Sequence, residues 1–175
     1  MPFFRLNFII FLATFIVFNL NIYAKDNHFL SSRNLQKISS SSLKIFKIKI
    51  YEIDLWSNRI FFSYDNQTAI EIKYLKDIAK KRIIESSIDE INKQKKLSNN
   101  VKLKYSEYLN QSLVDIKKDD IMTAIFIDSV ISFYHNNKLT SSINDKTFAI
   151  DFLNIWLGKN SSNPKITKQL LSYSE

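Results

Sequence analysis

The chain has 175 residues, with 25 Lys and Arg against 17 Asp and Glu, and a net charge of +8 at neutral pH. It contains no Cys, one Gly and two Pro. Lack of Cys excludes a disulfide scaffold, and a lone Gly excludes the Gly-rich phosphate loops of nucleotide enzymes. Arg5 is the sole charge before Lys25, and the run LNFIIFLATFIVFNLNIYA is almost wholly apolar and closes on the small residue Ala24. A basic start, an apolar middle and a small final residue predict a cleavable signal peptide over residues 1–24. The remainder, 25–175, is one domain's worth of chain, suited to a periplasm. The alternative is an uncleaved membrane anchor over residues 6–24, since about 19 apolar residues just cross a bilayer, although Asn7, Asn19 and Asn21 weaken it.

Lys25–Ser42 is polar and rich in Ser and Asn, with room for an edge strand. In LKIFKIKIYEIDLWS, Phe46, Ile48 and Ile50 alternate with Lys47, Lys49 and Tyr51, the period of a half-buried strand. The apolar parity then changes to Ile53 and Leu55, which predicts a bulge near Tyr51–Glu52. RIFFSY and TAIEIKYL are expected to form two further strands around an Asp65-Asn66 turn. A helix follows, with Asp77 as N-cap and Ile84, Ile88 and Ile91 as its apolar stripe, leaving Glu90 among the solvated residues. KKLSNNVK breaks it, and Tyr105, Tyr108, Leu109 and Leu113 space a second helix.

IMTAIFI, VISFYH and KLTSSI predict a three-stranded meander, with Asn136-Asn137 as a tight turn and Ile121, Thr123, Ile125 and Ile127 on one face. Asp145 is suited to cap the next helix, which turns Phe148, Ala149, Phe152, Ile155 and Trp156 inward. Gly158 is expected to close that helix with positive φ. Asn163-Pro164 opens a last helix carrying Ile166, Leu170 and Leu171. Strands and helices in separate blocks give the α+β class, a large antiparallel sheet with helices on one face.

Catalytic raw material is sparse. His28 and His135 are the only His, too few for a His metal site or a Ser-His-Asp triad. Asp119-Asp120 lacks any EF-hand spacing and is suited to a turn before a strand. No nucleic-acid motif is present, so the basic surface is a solvated face rich in Lys or one that attracts anionic lipid or a carboxylate. No catalytic residue, cofactor or metal is assigned. An open sheet under helices can still leave an apolar slot between the layers.

SLKIFKIKIYEIDLW resembles the opening strand of chalcone isomerase-like domains. FYHNNKLTSSINDKTFAIDFLNIWLG resembles the closing block of that family, and NPKITKQLL its final short helix, so the likeness runs from about Ser40 to Leu171. The resemblance implies an open-faced β-sandwich with a ligand cleft between sheet and helices. Plant enzymes of the family cyclise chalcones, and other members bind fatty acids. The cleft Arg of the family corresponds best to Lys44, and the catalytic Thr of the plant enzymes to Tyr51. The Tyr and Asn that the plant helix presents seven residues apart have no counterpart, since Glu85 precedes Asn92 at that spacing. A Lys in place of Arg also gives up the planar, forked donor set. The Gly positions of the family at Asn136-Asn137 and Asp119-Asp120 are filled by residues that tolerate positive φ.

Three functions follow. The first is an exported, non-enzymatic binder of an apolar carboxylate such as a fatty acid, with Lys44 meeting the carboxylate and Tyr51 donating a hydrogen bond. The second is a chalcone isomerase-type intramolecular lyase. The third is a structural or partner-binding envelope protein whose cleft is filled by its own side chains.

Overall fold

The structure is a computed structural model that describes residues 29–172. The expected signal segment and His28 lie outside the described residues. Strands β1 (Gln36–Ile45) and β2 (Ile48–Ser57) pair antiparallel around the turn Phe46-Lys47. The φ values there, 47° and 69°, give the type I′ twist that suits a two-residue hairpin. The alternating run from Phe46 to Ile50 is therefore not one strand. Phe46 sits at the hairpin tip, and the Ser-rich stretch before it forms β1. The apolar parity shift reflects a bulge, as expected: Leu43 pairs with Tyr51 and Lys44 with Lys49, leaving Ile50 as the extra residue.

RIFFSY is a loop rather than a strand, because Phe62 and Tyr64 turn out of sheet register toward the helical layer. Tyr64 bonds to the Asn154 side chain, and Phe62 packs edge-on against Tyr64 at 4.8 Å. The chain then enters β3 (Thr68–Tyr74). Helices α1 (Lys80–Lys95) and α2 (Asn99–Ser112) come next, followed by β4 (Ile121–Ile127), β5 (Val130–His135) and β6 (Lys138–Asn144). Helices α3 (Lys146–Leu157) and α4 (Pro164–Leu170) finish the fold. The six strands lie in sequence order in one antiparallel sheet.

One sheet face carries Ile53, Leu55, Ile70, Ile72, Ala124, Phe133 and Ile143, all buried against Leu109, Phe148, Phe152, Leu153 and Trp156 of the helices. The opposite face is covered locally, where Leu30 and Leu35 lie on Trp56, Ala69 and Ile125. The expected α+β sheet with one helical layer is the observed architecture.

Helix ends show where local signals were outbid. Ala79, not Asp77, is the N-cap of α1, and the Lys80 amide donates to Asp115 Oδ1 at 2.8 Å. Asp77 instead accepts from the Lys118 amide at 2.8 Å and from Lys117 Nζ at 3.2 Å. Asp145 caps α3 as expected, accepting from the Phe148 amide at 3.0 Å. Gly158 follows α3 with φ −72° and ψ 138°, so positive φ is not what it supplies. A Cβ there would stand 2.5 Å from Gln94 Oε1 and 2.7 Å from the Asn154 carbonyl oxygen. Close approach is the reason for Gly.

Candidate functional site

Between the layers lies a void of about 40 Å³. Its floor is Ile70, Ile72 and Tyr74 of β3, Met122 and Ala124 of β4, and Phe133 of β5. Phe152 and Trp156 of α3 and Leu113 form walls, and α1 contributes Ile83 and Ser87 as roof. This region of α1 is loosely filled. Ile83, Ile84 and Ile88 are half-buried, while Ser87, Glu90 and Ile91 are its buried residues. The stripe expected from spacing is thus rotated, and Glu90 is buried rather than solvated. A cluster of rings lies between the layers: Phe152 packs edge-on against Phe133 at 5.0 Å and against Trp156 at 5.5 Å, and Phe148 against Tyr105 at 4.9 Å.

Tyr51 stands on the helix-facing side of β2. Its hydroxyl accepts from Trp156 Nε1 at 2.9 Å, and its ring meets Tyr74 edge-on at 5.9 Å. Burial pushes its phenol pKa up; the Trp156 bond opposes that rise and the Glu90 charge adds to it. Tyr74, more deeply buried beside it, is raised further. Both phenols are neutral across the physiological range. Lys44 is exposed on β1, opposite Lys49, and the residue opposite Tyr51 is Leu43. Neither Lys44 nor Tyr51 lines the void. Tyr51 reaches its wall through Trp156 and Tyr74.

A second, open groove of about 490 Å³ runs between the β2–β3 loop and the C-terminal ends of α1 and α3. Phe62, Tyr64, Gln94, Lys95, Asp151 and Gly158 are among its lining residues. Asp151 projects from α3, buried, and holds Lys95 Nζ at 2.8 Å and the Tyr105 hydroxyl at 2.8 Å. Gln94 fills the notch beside Gly158, donating to the Asn154 carbonyl at 3.0 Å and to Glu90 at 3.0 Å. Burial favours a neutral Glu90, but bonds from Ser162 and Gln94 outweigh it and hold the pKa below the usual carboxylate value. These are structural ties rather than a reactive pair: Glu90 Oε1 accepts from Gln94 and from the Ser162 amide, and both Asp151 oxygens accept from Lys95.

Sequence reasoning missed Asp151, Lys95, Glu90 and the Trp156 indole as polar elements. One signal was present: Asp151 is the lone charge inside the apolar run TFAIDFLNIWLG. His135, expected beside a turn, pairs with Asp120 at 3.0 Å. Asp119 takes φ 73°, and Asp120 accepts from the Lys117 amide at 2.8 Å, as a turn requires. Among the described residues no three His, Asp or Glu side chains gather into a metal-binding cluster.

The fold is shared with solved structures. The crystal structure of a fatty-acid binding protein from Arabidopsis thaliana superposes with a TM-score of 0.60 at 10% identity, covering 79% of this chain and 87% of that one. No curated protein matches the chain by sequence. The sequence profile of chalcone isomerase-like proteins matches residues 45–172, which spans β2, every later strand and all four helices. The chain therefore belongs to the chalcone isomerase-like family.

Proposed function

We propose that this is an exported, non-enzymatic binder of an apolar carboxylate, a fatty acid being the simplest example, held between the sheet and α1. The observation that carries the reading is the apolar void roofed by only Ile83 and Ser87. The fatty-acid binding of the Arabidopsis protein with the same fold supports it. A void of 40 Å³ is far below the roughly 300 Å³ of a small-molecule pocket. An acyl chain therefore enters only as Ile83, Phe152 and Trp156 change rotamer. Tyr51 is the proposed neutral donor to the carboxylate, through the hydroxyl hydrogen that the bond accepted from Trp156 does not use, and Lys44 the proposed cation at the hairpin end. Native mass spectrometry of the purified protein tests this. One bound fatty acid per chain is expected, and about tenfold weaker binding in Tyr51→Phe or Lys44→Ala. An empty protein that also refuses added long-chain fatty acid ends the reading.

A second reading rests on the contiguous ring cluster of Phe133, Phe148, Phe152 and Trp156 packed between the layers. In it the cleft is closed and the domain is a structural or partner-binding envelope protein. Mass spectrometry showing no ligand, with a sharp thermal transition unmoved by fatty acid, favours it. Chalcone turnover above the buffer rate would instead favour the isomerase alternative.

A further inference from the structure

Among the described residues three hairpins close on two-residue turns. The β4–β5 turn uses Asp128-Ser129 and the β5–β6 turn uses Asn136-Asn137, all at positive φ. Asn and Asp are the non-Gly residues that accept this conformation most readily. The β1–β2 turn places Phe46 and Lys47 there instead. Phe46 is 95% exposed, so the fold gains no packing in return for a disfavoured backbone and a wetted ring. Ile45 and Ile48 flank it, 49% and 54% exposed. A local rule broken without internal compensation points outward, to something the tip touches.

The register says what surrounds that tip. Tyr51 pairs with Tyr74, the last residue of β3, so residues 44–49 project past the neighbouring strand. The same end of the sheet carries Lys73, Lys76, Lys117, Lys118 and Lys138 in addition to the Lys of the hairpin. Three of its carboxylates pair with Lys, Glu52 with Lys49 at 2.8 Å, Asp77 with Lys117 at 3.2 Å and Asp119 with Lys73 at 3.8 Å, and Asp120 accepts from the Lys117 amide and from Asn136 at 2.8 Å each. Lys44, Lys47, Lys76, Lys118 and Lys138 have no ion pair with a described residue. The projecting apolar wedge therefore shares its end of the sheet with cations that have no ion pair among the described residues.

We propose that the β1–β2 hairpin tip docks the protein on an anionic bilayer surface, Phe46 entering the acyl boundary while Lys47 sits among lipid phosphates and the other unpaired Lys of this end add attraction at longer range. One ring and two isoleucines are too little for a stable protein interface of roughly 800 Å² per partner. They suit insertion of about 5–10 Å into the headgroup region, with each Lys adding attraction to anionic lipid. A second copy is disfavoured, because a twofold contact at this tip would bring like charges together. The inference is independent of whether the interlayer void carries a ligand.

The chain has no Cys, so Lys47→Cys can carry a single nitrobenzoxadiazole label at the tip. The labelled full chain is titrated with phosphatidylcholine vesicles containing or lacking phosphatidylglycerol. Expected is a blue-shifted emission rising about threefold with the anionic vesicles only, and reversed in about 0.5 M salt. Adding Phe46→Asn, which suits the turn and so preserves folding, should weaken the response about tenfold. The proposal is overturned if the label stays in water with anionic vesicles, or if Phe46→Asn responds like the parent. It is equally overturned if the shift depends on protein concentration without lipid, which would mark self-association.

Discussion

At Gly158 the neighbours leave no room for a methyl group: Gln94 Oε1 and the Asn154 carbonyl oxygen would both lie within 2.7 Å of a Cβ. Gly158→Ala should therefore cost about 1–3 kcal/mol, read as a lower urea midpoint. The sequence marked the position but not the cause, because the closeness of α1 and α3 is tertiary. Tyr51→Phe removes the acceptor of Trp156 Nε1 and should cost about 1 kcal/mol in the same assay. Asp151→Ala leaves the buried Tyr105 hydroxyl without its acceptor and should cost about 2–4 kcal/mol, whereas Lys95→Ala, whose side chain is 48% exposed, should cost under about 1 kcal/mol. Asp120 gives a pH signature. Bonds from Asn136 and the Lys117 amide, and then from His135, lower its pKa from 3.8 to about 2. A depressed carboxylate stabilises the fold above its unfolded pKa, so that contribution is whole above about pH 4 and is lost as pH falls toward 2. Denaturant midpoints measured across that window should fall, and Asp120→Asn should flatten the fall.

Elements were legible where a period was long enough to average over tertiary effects. β3 to β6, α3 and α4 follow their apolar spacing, and the Asn163-Pro164 start of α4 stands where the sequence put it. The β1–β2 hairpin was not legible, because Phe46 and Lys47 carry none of the turn chemistry that marks a type I′ corner. Phe46→Asn should raise stability by about 0.5 kcal/mol or more, visible as a higher thermal midpoint, since it replaces a ring at positive φ by a side chain that tolerates it. RIFFSY failed for another reason: its rings are apolar enough for a strand, but Tyr64 is drawn to Asn154 on α3. Alternation alone cannot say which layer a side chain joins.

At the scale of the molecule, the layered architecture could be read from block order, while the site could not. A void depends on how far α1 stands from the sheet, and no spacing in the sequence encodes that distance. The structure gives α1 fastenings at both ends. Asp115 and the Ile78–Ile116 bridge secure its start, and Gln94 in the Gly158 notch, with Glu90 on the Ser162 amide, secures its finish. It lies as a buckled strap over a narrow slot, held at both ends. Loosening either end, by Asp115→Ala or Gly158→Ala, should speed amide exchange at Ile83–Ser87 more than elsewhere in the helical layer, even as the fold itself weakens.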